Sequence, residues 1–106
     1  VYKRQVGKTL PLSHELFDFA ETIFDVLESR QVTLSKKGED KGVRLSFEDF
    51  PYLIVWSKPE GDFVAVEPWG GLSTCSDEDD VLEHKRGCLV AKPKETVVRS
   101  FTIEIL

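Results

Sequence analysis

Apolar and polar residues alternate with a period of two along much of this chain, which is the spacing of half-buried β-strands. Residues 22–27, 31–35 and 42–47 carry β-branched and aromatic side chains in partial alternation, and each run predicts a strand. Residues 52–57 and 63–67 are two further apolar runs, separated by Pro59-Glu60-Gly61-Asp62, where proline suits a turn entry and glycine supplies positive φ. Lys36-Lys37-Gly38-Glu39-Asp40-Lys41-Gly42 is polar and glycine-bearing, as a solvated hairpin loop requires. Residues 72–80 form a long irregular excursion, after which Leu89-Val90 and 96–106 return to strand character around a Lys92-Pro93-Lys94-Glu95 turn. In the last run Phe101, Ile103 and Ile105 face one way and Thr102 and Glu104 the other. Ser13 is placed to cap one short helix over 15–19, with Glu15 in its first turn. The pattern predicts an all-β fold of about seven mostly antiparallel strands with one short helix, free of internal repeats.

Composition narrows the class. The chain has 106 residues, 41% hydrophobic and 31% charged, the balance of one globular unit with a small core. A net charge of −5, with the cations scattered through strands and turns, argues against a nucleic-acid surface. No apolar run approaches the ~18 residues of a membrane span, and no leader pattern precedes a cleavage site, so a cytoplasmic location is expected. Cys75 and Cys88 are separated by twelve residues, which matches no zinc or Cys-x-x-Cys spacing. Two free thiols are the simple reading, and a disulfide requires residues 77–85 to bring their Cα atoms within about 7 Å.

The stretch with most chemical promise runs from Phe50-Pro51-Tyr52 to Glu67-Pro68-Trp69-Gly70-Gly71. Glu67 closes a buried strand at the point where the chain leaves the core, and strand mouths are where sites gather. A strand-end glutamate taken alone is ordinarily an exposed or salt-bridged side chain. Trp69 is placed either to pack or to stack on a ligand, whereas Trp56, mid-strand among Leu53, Ile54 and Val55, reads as core packing. His14, at the helix start, and His84, in the charged Glu83-Lys85-Arg86 cluster, read as surface side chains. Asp77-Glu78-Asp79-Asp80 lacks the alternate spacing that wraps calcium, and no nucleotide, metal or nucleophile motif is present, so no cofactor is implied.

Several segments, in order, resemble one family. Leu10-Pro11-Leu12-Ser13-His14-Glu15-Leu16-Phe17, Leu27-Glu28-Ser29-Arg30-Gln31-Val32-Thr33-Leu34, Phe47-Glu48-Asp49-Phe50-Pro51-Tyr52-Leu53, Glu67-Pro68-Trp69, Glu83-His84-Lys85-Arg86-Gly87 and Arg99-Ser100-Phe101-Thr102-Ile103 look like the C-terminal part of the galactose mutarotase-like family. These are the aldose 1-epimerases and their sugar-binding relatives, and the similarity is to the bacterial branch with Glu-Pro-Trp. It runs from about Gly7 to Leu106. Val1-Tyr2-Lys3-Arg4-Gln5 fits nothing in the family and reads as an assembly scar. Family members are two to three times this length, so the resemblance implies a C-terminal fragment of a β-supersandwich. Such a fragment should expose apolar faces, and instability or oligomerisation in isolation is expected.

The resemblance also implies a chemistry. Epimerising an aldose at its anomeric carbon needs a base for the anomeric hydroxyl proton and an acid for the ring oxygen; the ring opens, rotates and recloses, without metal or redox cofactor. Glu67 matches the family's base, and burial beside Pro68 and Trp69 is expected to raise its pKa toward neutrality. Trp69 would stack on the pyranose. The family's second acidic residue, which holds a sugar hydroxyl, falls in Leu16-Phe17-Asp18-Phe19-Ala20-Glu21-Thr22-Ile23-Phe24, where Asp18 and Glu21 are both candidates. The histidines that supply the acid belong to the missing N-terminal half, and neither His14 nor His84 takes that role. The fragment alone is therefore expected to be inactive, its partners being a hexose and its own N-terminal half. A non-catalytic carbohydrate-binding protein on the same scaffold is the alternative reading, and a free-standing interaction module is a third.

Overall fold

The computed structural model describes residues 2–4 and 7–106. Among the described residues seven strands form: β1 (Tyr2–Arg4), β2 (Thr22–Val26), β3 (Gln31–Ser35), β4 (Gly42–Ser46), β5 (Tyr52–Trp56), β6 (Ala65–Trp69) and β7 (Thr102–Ile105). They make two sheets, one in the order β1-β2-β5-β6 and the other β3-β4-β7, and every pairing but the parallel β1–β2 is antiparallel. This is the all-β class that the alternation predicts. Tyr2–Arg4 lies within the five leading residues set apart above; Val1 and Gln5 are outside the described residues.

The core lies between the sheets. Register places Thr22, Phe24, Leu53, Val55 and Val66 on one face of the larger sheet, and Leu53 and Val55 pack there with Leu45, Phe47 and Phe17. Phe47, just past β4, is wholly buried. Arg30 closes one end of this layer, its guanidinium donating to the carbonyls of Leu27, Phe50 and Pro51. The opposite face of the larger sheet carries Ile23, Ile54 and Tyr52, which pack with Leu72 and Trp69.

The smaller sheet is only half covered. Leu45 pairs with Ile103 and Val43 with Ile105, so one face carries Val32, Leu34, Val43, Leu45, Ile103 and Ile105. Its Leu45 end joins the core, whereas Ile103 and Ile105 are 58% and 77% exposed. The radius of gyration is 15.7 Å, against about 13 Å for a compact chain of this length.

Several elements depart from expectation. Leu89-Val90 is irregular, and only Thr102–Ile105 of the long C-terminal run is strand, because β4 offers partners to no more than four of its residues. The short helix is a single 3-10 turn, His14–Phe17, with Ser13 at its start but making no side-chain cap. Ser13 instead donates to the Glu15 carboxylate, which Glu15's own backbone N–H, the larger influence, and this hydroxyl hold below its ordinary pKa. Trp56 is not core: it is 37% exposed at the strand end and meets Phe63 edge-on at 5.5 Å. In the β5–β6 turn the positive φ of 63° falls on Glu60, not Gly61. The Gly61 N–H donates to the Lys58 carbonyl at 2.9 Å, so Pro59 and Glu60 are the two central residues of a type II turn. Gly61 is needed for room, since a β-carbon there would lie 3.0 Å from both the Lys58 carbonyl and the Phe63 ring.

Candidate functional site

β6 is an edge strand, which is why it tolerates Pro68 next to its end. Alternation along it sends Val66 and Pro68 toward the intersheet core and Glu67 and Trp69 to the opposite face. On that face Glu67 lies opposite Ile54, and Ile54 opposite Ile23, while Trp69 lies opposite Tyr52. Glu67 is half-buried. The Trp69 indole Nε1–H donates to Glu67 Oε2 at 2.9 Å, two residues along the same strand face. One carboxylate oxygen is thereby fixed beside an aromatic plate, and Oε1 is not used in that bond.

The two acidic residues that the resemblance brings in from the Leu16-Phe17 segment are placed differently. Asp18 ends the 3-10 turn and is exposed. Glu21 is half-buried and immediately precedes β2. Extending the β2–β5–β6 register by one residue puts Glu21 on the face of Glu67, one strand and two residues away, about 12 Å between Cα atoms. Glu21 is thus on the Glu67 face, where Ile54 and Ile23 beside the two carboxylates are buried against Leu72, and Asp18 is not on that strand.

The 70–89 segment folds back over this face. Leu72 is buried against Ile54 and Ile23. Gly87, at φ 74°, sits so close to the Tyr52 ring that a β-carbon would lie 2.7 Å from Cε2. The face carrying Glu67 therefore opens beside a cleft of about 330 Å³, walled by Gly70 and Gly71 on one side and by 85–89 on the other, with Arg99 at its rim. Arg99 carries no local sequence signal, since it falls inside an alternating run; only the return of the C-terminal segment across Phe50 brings it here. Its guanidinium carbon lies 5.8 Å from the Phe50 ring centroid.

Some of the polar groups of the segment are engaged with each other. Asp79 accepts from the Val81 N–H at 3.0 Å and contacts His84 Nδ1 at 2.6 Å. These two partners, His84 first, hold the Asp79 carboxyl below its ordinary pKa. Cys75 and Cys88 are not joined in a disulfide, and Arg86 donates to Cys75 Sγ at 3.1 Å. Among the described residues no helix is long and apolar enough to cross a membrane.

Fold and site together define a two-sheet β protein with a carboxylate–indole pair on an edge strand beside a shallow cleft. Over 100 residues the chain is 42% identical to Protein LacX, plasmid, and to Protein LacX, chromosomal, both of Lactococcus lactis subsp. lactis. The alignment covers 93% of this chain and 33% of each relative, so the chain spans about a third of their length. No family model matches it, and no solved structure matches it.

Proposed function

We propose that this chain is the C-terminal portion of a galactose mutarotase-like protein that interconverts the α and β anomers of a hexose, with Glu67 as general base. The observation that carries the proposal is the Trp69–Glu67 hydrogen bond on a half-buried strand face. A base must hold an oxygen at a fixed position against the anomeric hydroxyl, and the indole donor fixes one carboxylate oxygen while leaving the other for that proton. The ring of Trp69 supplies an apolar plate of the kind that pyranose C–H faces stack on. The length of the LacX relatives supports a longer parent.

In the reaction, Glu67 takes the anomeric hydroxyl proton as an acid protonates the ring oxygen and the bond between the anomeric carbon and that oxygen breaks. The open-chain aldehyde turns about its first carbon–carbon bond and recloses, returning both protons, so no cofactor is consumed. His84 is occupied by Asp79, and the acid is assigned to the N-terminal part of the parent. Glu21, across the same face, is the better placed of the two acidic residues to hold a sugar hydroxyl.

A second reading, carbohydrate binding without turnover, is favoured by the same indole bond if it serves only to orient the carboxylate as a hydroxyl acceptor. The test is the proton NMR time course of α-glucose and α-galactose mutarotation with the full-length parent. Acceleration over buffer that collapses in Glu67→Gln supports the epimerase. Saturable sugar binding without acceleration selects the binding protein, and neither acceleration nor binding overturns both.

A further inference from the structure

We infer that Trp56 is a substrate-positioning residue of the Glu67 face: its exposed indole is the plate on which the pyranose ring stacks with its anomeric end at Glu67. The inference rests on the sugar reading above and adds to it a residue that the sequence assigns to the core.

Register settles which way Trp56 faces. In β5, Leu53 and Val55 pack between the sheets, whereas Ile54 belongs to the opposite face with Ile23 and Leu72. Trp56 lies two residues beyond Ile54 and so falls on that same face. It pairs with Ala65, as Ile54 does with Glu67 and Tyr52 with Trp69. Glu67 is therefore the diagonal neighbour of Trp56 on the next strand, about 7–8 Å away and within reach of an aromatic side chain. Continuing the β2–β5 register by one residue sets Glu21 opposite Trp56 on its other side.

Across the sheet from Glu67 the other rows are closed. Ile54 and Ile23, in the row of Glu67 itself, are 1% and 3% exposed and pack against Leu72. In the next row Trp69 is half-buried against that cluster with its N–H given to Glu67, and Gly87 sits on the Tyr52 ring. The cleft walled by Gly70 and Gly71 and by 85–89 is lined by neither Glu67 nor Trp69. What stays open across the sheet is the row of Trp56 and Ala65, where the indole is 37% exposed and the neighbouring strand raises only a methyl group beside it.

The indole is also held, and it has what a sugar needs. Phe63 meets it edge-on, with centroids 5.5 Å apart and planes at 62°. Among the described residues the Trp56 indole N–H has no protein partner, unlike that of Trp69. Trp56 thus offers an apolar plate for pyranose C–H groups and a donor for a sugar oxygen. A ring lying on it along the Trp56–Glu67 diagonal brings its edge to the carboxylate that Trp69 orients. Trp69 then serves the base and Trp56 the substrate.

The test is the mutarotation of α-galactose and α-glucose by the full-length parent, followed by proton NMR in wild type, Trp56→Ala and Trp56→Phe. Stacking holds substrate and transition state alike, so Trp56→Ala should raise KM about tenfold with kcat changed less than about threefold, and Trp56→Phe should keep KM within about threefold. Saturation transfer from the wild-type Trp56 indole, identified by the resonances lost in Trp56→Phe, should reach the ring C–H protons of the sugar, a readout that needs no folded alanine variant. Where the wild type binds sugar without turning it over, Kd takes the place of KM. An unchanged KM in Trp56→Ala, or transfer from Trp69 and none from Trp56, overturns the inference and leaves the sugar reading standing. A lower thermal midpoint with KM unchanged makes the Trp56–Phe63 pair a clasp of the β5–β6 hairpin and overturns it as well. Neither acceleration nor binding in the wild type overturns the sugar reading, and the inference falls with it.

Discussion

Trp69 and Glu67 lie two residues apart on one face of β6 and are joined by a 2.9 Å hydrogen bond from indole N–H to carboxylate. A hydrogen bond to a charged acceptor contributes roughly 1.5–3 kcal/mol when shielded, and less here because the pair is only half-buried. Glu67→Gln removes the charge and should move the Trp69 indole proton resonance upfield by several tenths of a ppm, leaving that of Trp56 in place. An unmoved Trp69 resonance would show that the bond does not persist in solution. In the parent, Trp69→Phe keeps a ring but loses the donor, and mutarotation is expected to fall about tenfold.

The covering segment depends on Gly87. Its φ of 74° disfavours any β-carbon, and the Tyr52 ring leaves no space for one. Gly87→Ala should cost about 2 kcal/mol. Thermal unfolding followed by circular dichroism should show a lower midpoint. Tyr52→Ala in the same background should recover part of the steric loss but none of the backbone strain; full recovery would mean that the backbone conformation costs nothing.

Glu60 holds the left-handed position of the β5–β6 turn at φ 63° without the freedom of glycine. Glu60→Gly relieves a cost of about 1–2 kcal/mol and adds roughly half of it back as unfolded-chain entropy. A net gain of about 0.5–1 kcal/mol in urea unfolding is expected, and a loss would show that this turn conformation is not retained.

Asp49 ties the C-terminal segment down and titrates below its ordinary value, chiefly because the Ser100 backbone N–H donates to it, with the Ser100 hydroxyl second and the Arg99 charge last among the lowering influences. With the folded pKa depressed, the unfolded chain binds more protons below about pH 4, so this contribution is present above that pH and lost as pH falls through the folded value. Hydrogen exchange at the Ser100 amide should therefore quicken, relative to its intrinsic rate, as pH falls below about 4. Asp49→Asn should make it fast already at neutral pH. A Ser100 amide equally protected in Asp49→Asn would assign its protection to another acceptor.

The alternation in 31–35 and 42–47 fixed two strands within a residue, because a period of two puts apolar side chains on one face only when the backbone is extended. The apolar run 52–57 marked the central strand, whereas its partner, expected over 63–67 with Glu67 at the end, runs Ala65–Trp69 with Glu67 in the middle. Leu89-Val90 and the early part of 96–106 misled for one reason, whereas Trp56 formed its strand as expected and missed only the core. Propensity describes a residue's fitness for a strand, but a strand exists only where a neighbour offers hydrogen bonds, and β4 pairs with 102–105 alone. Exposure of Ile103 and Ile105 was likewise beyond local pattern, since alternation names the face and not what covers it.

What the sequence determined by itself, then, is the all-β class and the hairpin punctuation, both consequences of spacing along the backbone; that the strand runs on to Trp69, so that Glu67 and Trp69 share one face, was decided by its pairing with β5. What only the tertiary structure decided is which distant groups meet there: Gly87 against Tyr52, Glu21 on the Glu67 face, and Arg99 docked through Ser100 onto Asp49 at the mouth of a cleft. Those contacts join residues as many as 51 positions apart, and no short-range periodicity carries information about where a returning chain will cross.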